Sequence, residues 1–374
     1  MKKRGLFFLL CILALGIFLR ASFLGNPEDP VFDELGYLPQ MLQIIQGEKP
    51  YLVHPPLGIV LLTAGVKLFG YNPSGWRYLP FFCGIGSLLL VYLVGRELFG
   101  EKAGIYAALL VACDPLHLVF SRLAMLDMIL TVLILGALFT YIRGRQGLCA
   151  VILGAALLVK WTALIPIIGF ILWDLWAKRD RPVILRAVNA MTLVIMPLLV
   201  YFLGYSIYLG SFSPAEFFGA QNAMVNYHGR ILPEIIPFSS PVWSWLIIPQ
   251  ALPIFTKEIP GFTGEIILAN NPVFLWPALL ALVCFIFKWL REKSDPAGLV
   301  IVLVIVSYGA WFGSPRGCFL YYILPVIPLL ALVLGDFLTR LEEDKSGQWA
   351  VAVYLAMVVV SLISYLPHIR VIPL

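Results

Sequence analysis

The sequence predicts an all-α polytopic membrane protein with about eleven transmembrane helices, and three observations support this. Of the 374 residues, 61% are hydrophobic and 13% are charged, and the mean hydropathy is +0.92, which is far from the composition of soluble globular domains. Apolar runs of about 20 residues, each long enough to cross ~30 Å of hydrocarbon, recur along the chain. Basic residues concentrate in the short loops on one side. Residues 1–374 are therefore expected to form a single transmembrane domain.

The first predicted span, residues 5–24, follows the basic start Met1-Lys2-Lys3-Arg4. It is long for a signal peptide and has no small-x-small cleavage site, so we expect an uncleaved helix with a cytoplasmic N-terminus. The positive-inside rule then places most Lys and Arg residues in short cytoplasmic loops. The further spans are predicted at 77–95, 103–119, 125–142, 148–159, 162–177, 187–208, 273–290, 298–312, 319–338 and 348–366.

Two outward loops are long, residues 25–76 and 209–272, and we expect them to form the active-site face. The first loop contains two amphipathic segments, 34–47 and 56–70, that are too short or too polar to span and are predicted to lie along the membrane interface. The span 148–159 is short and ends at Lys160-Trp161-Thr162. A helix that stops early with a lysine at its end indicates a cavity at that depth rather than lipid.

Composition also excludes several classes of protein. The net charge of +5 is spread along the chain, which gives no basic element for nucleic acid. The six cysteines lie in or beside apolar runs without a CxxC motif, so they are interpreted as core residues. No metal or other cofactor is expected, because His54 and His228 are too far apart in sequence to indicate a ligand set. The apolar composition does predict one interaction partner, the lipid bilayer.

The adjacent carboxylates Asp33 and Glu34 are the first candidates for chemistry. A carboxylate pair at a membrane surface is costly unless it has partners or a task. A structural alternative is equally simple, since Asp is a good helix N-cap and Glu suits a first turn. His54-Pro55-Pro56 also has a structural interpretation, a rigid turn with proline in the first turn of a helix.

Four cations on the outer side are candidates for binding a phosphate: Arg77, Arg122, Lys160 and Arg316. Guanidinium groups bind phosphate oxygens in bidentate fashion, so their convergence on one face favours a phosphorylated substrate. Arg77 lies between Trp76 and Tyr78, however, and is open to a second interpretation as an interfacial anchor. Arg122 and Asp127 are similarly open to a structural pairing with each other.

The second long loop interleaves aromatic side chains and hydroxyls near the membrane surface. It contains the pair Tyr227-His228 and, further on, Trp243. An aromatic belt explains the tryptophans without any chemistry. It explains the tyrosine-histidine pair less well, so both members of that pair are candidates for substrate binding.

Taken in order, these residues resemble the protein O-mannosyltransferase family, whose members are GT-C membrane glycosyltransferases. The similarity extends over about residues 30–330, and the ordered set is far more specific than any one motif. The residues that carry it are Phe32-Asp33-Glu34, His54-Pro55-Pro56-Leu57-Gly58, Arg77, Ser121-Arg122, Leu126-Asp127, Lys160-Trp161-Thr162, Tyr227-His228, Pro237-Phe238-Ser239-Ser240, Trp243-Ser244-Trp245, Asn271-Pro272, Ser314-Pro315-Arg316 and Tyr321-Tyr322.

The resemblance implies a GT-C-like helical bundle that moves mannose from polyprenyl-phosphate-mannose to Ser or Thr hydroxyls of secreted or membrane proteins, on the extracytoplasmic side. It also implies that Asp33, beside Glu34, is the catalytic base and that Arg77 contacts the donor phosphate. We group Arg122, Lys160 and Arg316 with Arg77 at the phosphate. Contacts to the substrates are assigned to His54, Asp127, Tyr227, His228, Trp243 and Tyr321.

The chain departs from the family pattern in length and in two motifs. Residues 209–272 are too few for the β-trefoil MIR domain that eukaryotic members carry there, which implies a prokaryotic-type enzyme. Ile59 replaces the usual lysine after Leu57-Gly58, and Ile236-Pro237-Phe238 replaces His-Pro-Tyr. The identities of the acceptor and of the sugar are therefore not specified by the resemblance. Alternatives are a GT-C transferase with another polyprenyl-phosphate sugar or a glycolipid acceptor, a secondary transporter, and a non-enzymatic scaffold subunit.

Overall fold

The computed structural model describes residues 3–22, 24–229, 238–259, 262–292, 295–315 and 317–369. Helices account for most of these residues, and one β-hairpin is present. The helices are α1 (Lys3–Ala21), α2 (Glu34–Ile45), α3 (Pro56–Phe69), α4 (Pro73–Phe99), α5 (Glu101–Ala112), α6 (Pro115–Phe120), α7 (Leu126–Ile142), α8 (Gln146–Val159), α9 (Leu164–Ala177), α10 (Val183–Leu209), α11 (Pro214–Gly229), α12 (Pro272–Glu292), α13 (Asp295–Gly309), α14 (Val326–Leu341) and α15 (Lys345–Tyr365). The strands are β1 (Ala251–Ile259) and β2 (Phe262–Ala269).

Each predicted span coincides with a helix, although the predicted span 103–119 is interrupted by Asp114, the residue that caps α6. Helices α1, α4, α10, α12 and α15 are long and apolar enough to cross a membrane, and shorter apolar helices accompany them. The polytopic helical class is confirmed, and the count of eleven spans stays a prediction. Helices α2 and α3 coincide with the two segments predicted to lie at the interface.

The centre of the bundle is α14, whose residues 326–336 are all buried. It packs against α5, α4, α12 and α13, while α8 lies between α7 and α10. Small residues allow close approach: a Cβ on Gly95 of α4 would lie 2.7 Å from the Cα of Gly104 in α5. Close backbone packing of this kind is a principal source of helix association in membranes, where lipid offers no hydrophobic driving force.

The hairpin β1–β2 corrects the all-α prediction for the second long loop. Its strands pair antiparallel from Ala251 opposite Ala269 to Ile259 opposite Phe262. The sequence carried a signal for it, because Pro260-Gly261 separates two apolar runs, and this dipeptide is typical of turns. The Lys257 ammonium lies 2.7 Å from an Asp29 carboxylate oxygen, which joins the hairpin to the first long loop.

The segment between α2 and α3 is fixed to α10 and α11 by side chains that donate to backbone carbonyls. Lys49 donates to the Leu209 carbonyl at 2.6 Å, and Tyr51 donates to the Ala223 carbonyl at 2.8 Å. At the start of α3, a Cβ on Gly58 would lie 2.6 Å from a Leu126 methyl group. The absence of a side chain there lets α3 pack against α7. The two long loops therefore enclose one region at the end of the bundle.

Candidate active site

A cavity of about 520 Å³ opens between the two long loops. Its volume lies in the range typical of small-molecule sites. Its wall combines one carboxylate and one ammonium with two imidazoles and an aromatic lining. The lining residues are Phe32, Asp33, Gly36, Tyr37, Gln40, Val53, His54, Lys160, Tyr227, His228, Phe238, Phe319, Tyr321 and Tyr322.

Asp33 lines this cavity directly after a residue with a left-handed backbone conformation. The preceding residue, Phe32, has φ of 54°, and Phe238 on the facing loop has φ of 72°. Non-glycine residues with positive φ are uncommon and cost free energy, so they persist where packing enforces them. The two rings pack edge to face with centroids 6.4 Å apart. This contact between the long loops holds the residue before Asp33 in its strained conformation.

Asp33 does not cap α2 with its side chain, so the simple N-cap interpretation is wrong. Its carboxylate instead accepts a hydrogen bond of 3.4 Å from the Tyr37 hydroxyl, one helical turn further on. Burial raises the pKa of Asp33 to about 6, with a further upward contribution from Asp127; Lys160 and the hydrogen bond from Tyr37 act in the opposite direction. Burial also raises the pKa of Tyr37, as does the adjacent Asp33 carboxylate. Tyr37 therefore stays protonated and continues to donate.

Lys160 is the cation that the structure places in the cavity. It follows the C-terminus of α8 in an extended conformation, as expected for a helix that ends at a cavity. Its ammonium lies 2.9 and 2.8 Å from the two carboxylate oxygens of Asp127 and 5.4 Å from the ring centroid of Tyr321. Ion pairing and cation–π contact both stabilise a buried ammonium. The predicted pairing of Arg122 with Asp127 is wrong, because Asp127 pairs with Lys160.

Glu34 and Arg77 form a fully buried ion pair outside the cavity lining. The Arg77 Nε and Nη2 groups donate to the Glu34 carboxylate at 2.9 and 2.8 Å. The remaining N–H groups donate to the backbone carbonyls of Leu24, Pro27 and Asp29. Since a guanidinium has five N–H groups, this arrangement leaves none for a phosphate. It also excludes an anchor that extends to the interface.

Glu34 is equally occupied. Besides Arg77, it accepts hydrogen bonds from the backbone N–H groups of Val31 at 2.9 Å and Ala124 at 2.7 Å. The pair thus joins the loop before α2 to the start of α4 and to the turn before α7. The geometry does not support Glu34 as a catalytic group or Arg77 as a phosphate ligand. Both residues position Asp33, which is adjacent to Glu34 in the chain.

Arg122 is not in the cavity lining. It is buried, with 5% exposure, in the turn that contains Ala124. Arg316 lies outside the described residues, so its predicted phosphate role is untested. Among the predicted phosphate ligands that the structure describes, Lys160 is the one placed at the cavity.

His54 and His228 pack together with ring centroids 5.2 Å apart. His228 Nε2 lies 2.8 Å from the Val53 carbonyl oxygen, which fixes α11 against the first loop. Both rings also line a second cavity of about 340 Å³, which they share with Lys160 and with Trp161 and Thr162. His54, Lys160 and His228 line both cavities and form the partition between them. The predicted role of this pair at a substrate site is consistent with that position.

Of the remaining residues predicted to contact the substrate, two line the main cavity and one does not. Tyr227 and Tyr321 line the main cavity, whereas the Trp243 side chain is 51% exposed and does not line it. The buried tryptophan of that motif is Trp245, whose indole N–H donates to the Ser240 hydroxyl at 2.9 Å. Sequence reasoning missed Tyr37, although its position four residues after Asp33 places it on the same helix face.

Within the described ranges, no cluster of three His, Cys, Asp or Glu side chains is arranged to hold a metal ion. The expectation that the protein needs no metal stays a prediction.

Known proteins resemble this chain in sequence. The family model described as dolichyl-phosphate-mannose-protein mannosyltransferase matches residues 53–207. A polyprenol-phosphate-mannose–protein mannosyltransferase of Mycolicibacterium smegmatis is 24% identical, over 97% of this chain and 89% of that protein.

Two solved structures share the fold. The protein O-mannosyltransferase Pmt1-Pmt2 complex of S. cerevisiae, bound to the sugar donor, superimposes with a TM-score of 0.86 at 13% identity, over 100% of this chain and 91% of that one. ArnT of Cupriavidus metallidurans, bound to undecaprenyl phosphate, gives a TM-score of 0.65 at 18% identity, over 94% of this chain and 63% of that one. The chain is therefore similar in sequence to polyprenol-phosphate-mannose–protein mannosyltransferases and shares its fold with the Pmt1-Pmt2 complex.

Proposed function

We propose that the protein is an inverting glycosyltransferase that moves mannose from polyprenyl-phosphate-mannose to Ser or Thr hydroxyls of secreted or membrane proteins. The observation that carries this proposal is that one carboxylate, Asp33, and one ammonium, Lys160, face the same cavity. The match to the family model and the activity of the Mycolicibacterium relative support this choice of donor and acceptor class. The active site lies on the extracytoplasmic side in this proposal, with the N-terminus in the cytoplasm.

In the proposed reaction, Asp33 accepts the proton of the acceptor hydroxyl as its oxygen attacks the anomeric carbon. The bond from that carbon to the phosphate oxygen breaks, and polyprenyl phosphate leaves with the electron pair. A carboxylate with a pKa of about 6 is ionised at neutral pH and more basic than an ordinary Asp, as a general base requires. Attack opposite to the leaving group gives inversion in a single displacement.

Lys160 supports the departure of the phosphate. Electrostatic stabilisation of charge that develops in a transition state is a large contribution to catalysis at water-poor sites. The Asp127 carboxylate orients two N–H groups of the Lys160 ammonium, and an ammonium has three. The third is available for a phosphate oxygen. Lys160 lines both cavities, so we place the phosphate at their boundary.

The test is transfer by the purified chain in proteoliposomes supplied with polyprenyl-phosphate-mannose and a Ser/Thr peptide. Asp33→Asn should lower turnover by roughly 10²- to 10⁴-fold, the usual contribution of a general base. Glu48→Gln is the matched control, because Glu48 is an exposed acid of the same loop. Wild-type turnover of Asp33→Asn would refute the assignment. Mass spectrometry of extracytoplasmic proteins should show hexose on Ser and Thr only in cells that contain the chain.

A second candidate is transfer of another polyprenyl-phosphate sugar, or transfer to a glycolipid. The fold similarity to ArnT favours keeping it, because the cavity residues do not specify the acceptor. A donor and acceptor screen separates the two. A secondary transporter is disfavoured, since its charged residues are expected near the bilayer midplane, whereas Asp33 and Lys160 lie at the loop end of the bundle. If the protein were a non-enzymatic scaffold subunit, replacing Asp33 would leave sugar transfer unchanged.

A further inference from the structure

A separate cavity of about 330 Å³ lies between α12 and α14 near their C-termini. We call it the distal groove. Arg340, which lines it, follows the start of α14 by ~14 residues, or about 20 Å of helix axis. The active-site cavity lies at the opposite end, where Tyr322 precedes α14. The distal groove therefore takes no part in the proposed reaction.

One side of the distal groove is hydrocarbon-like. Ala281 and Phe285 from α12, one turn apart, face Phe337 and Leu341 from α14. Cys284 also lines the groove and is exposed at the surface of the protein. In a membrane-spanning bundle, an apolar groove open to the outside at this depth is open to lipid chains.

Two cations, Lys288 and Arg340, stand at the polar end of the groove. Arg340 Nη2 donates to an Asp336 carboxylate oxygen at 2.5 Å, and in the described part of the chain its Nε and Nη1 groups have no partner. The Lys288 ammonium lies 3.6 Å from Glu292, an ion pair too long for a hydrogen bond. Each cation is thus oriented by an acid on its own helix and retains donors for a further ligand.

Lys178 gives a contrast from the same end of the bundle, because its ammonium contacts both Asp174 and Gln146 within the protein. The lining of the distal groove contains two cations, Lys288 and Arg340, and one carboxylate, Asp336. A ligand with one negative charge complements the net positive charge of this lining.

We propose that the distal groove binds an anionic glycerophospholipid. Its phosphate lies between Lys288 and Arg340, and one acyl chain lies along Phe285 and Phe337. Phosphate oxygens accept charge-assisted hydrogen bonds from the donors left unused. Basic pockets between transmembrane helices are a recurrent form of lipid head-group site. A zwitterionic lipid adds an ammonium to an already cationic rim and is bound less well.

The test is native mass spectrometry of the full chain in phosphatidylcholine nanodiscs titrated with phosphatidylglycerol. Removing both cations, in Lys288→Gln/Arg340→Gln, should weaken phosphatidylglycerol binding by about 10- to 30-fold, given the attraction that each basic residue contributes near a charged membrane surface. The matched control is Arg145→Gln/Lys345→Gln, which removes two exposed cations from the same end of the bundle. It should change binding by less than about threefold.

Cys284→Trp separates the groove from general surface charge. It keeps every cation but fills the apolar wall, so it should weaken phosphatidylglycerol binding as strongly as the double substitution. Soluble glycerol 1-phosphate should not compete, because it has no acyl chain. An equal loss in the Arg145/Lys345 control, no preference for phosphatidylglycerol over phosphatidylcholine, undiminished binding by Cys284→Trp, or competition by glycerol 1-phosphate would each overturn the proposal. Melting temperatures of all variants establish that they are folded.

Discussion

Replacing Asp33 by Asn is expected to stabilise the protein above pH 6 while it abolishes transfer. Burial raises the pKa of Asp33 from its ordinary 3.8 to about 6. A carboxyl group whose pKa is raised on folding destabilises the folded state when it ionises. This loss of folding stability is absent below the pKa that Asp33 has in the unfolded chain. It grows between about pH 4 and 6 and reaches its full size above the pKa of Asp33 in the folded protein. Asn cannot ionise and therefore removes the cost.

The expected magnitude follows from the shift. Roughly two pKa units at about 1.4 kcal/mol each give about 3 kcal/mol in favour of Asp33→Asn at pH 8, and almost nothing at pH 4. The assay is denaturant and thermal unfolding of the purified chain in detergent, followed by tryptophan fluorescence at both pH values. Glu48→Gln is again the control, because Glu48 is an exposed acid of the same loop. Turnover at pH 8 is measured on the same samples.

Two results would refute this reasoning. If Asp33→Asn is no more stable at pH 8 than Glu48→Gln, ionisation of Asp33 carries no cost in the folded state. If its advantage is the same at pH 4 and pH 8, the gain comes from packing or hydrogen bonding rather than from charge. The wild-type rate should also rise with pH and level off above about pH 6, as expected for a base that must be ionised.

Four further outcomes are expected. Lys160→Gln should move the acidic limb of the rate profile to higher pH, because Lys160 lowers the pKa of Asp33, and should weaken donor binding measured by titration with polyprenyl phosphate. Arg77→Ala should lower the free energy of unfolding by about 3–5 kcal/mol, since it leaves Glu34 buried without its counter-ion, while donor affinity of the folded fraction is unchanged in the same titration. Trp243→Phe should alter turnover less than about twofold, because this exposed side chain does not line the cavity; a tenfold loss would contradict that placement. EDTA should leave turnover unchanged, and inhibition that Mg²⁺ or Mn²⁺ reverses would show a metal requirement.

The helices, and the candidacy of Asp33 and Lys160 as separate site residues, were predictable from the sequence because their signals are local. Apolar periodicity and length specify a helix, and the early end of the span before Lys160 indicated a cavity. The pairing of charges was not predictable. Arg77 and Glu34 are separated by 43 residues, and Asp127 and Lys160 by 33. Which acid meets which cation depends on how distant helices pack.

The hairpin was missed for a different reason. Its strands lie in a loop beside a membrane, where alternating apolar residues are equally compatible with an aromatic belt or an interfacial segment. The Pro260-Gly261 turn signal was present but gave no register. Trp243 was assigned to the substrate because an exposed and a buried tryptophan look alike in sequence. Only the packing of Trp245 on Ser240 distinguishes the two.

The buried pair of Glu34 and Arg77 has a practical consequence for engineering. It secures the segment that contains Asp33 to the bundle through residues 24–34, the turn at Ala124 and the first turn of α4. Among the described residues, the second long loop contributes Tyr227, His228 and Phe238 to the facing side of the cavity but none of these hydrogen bonds to Glu34 or Arg77. Substituting Tyr227 should therefore alter acceptor choice while Asp33 keeps its place.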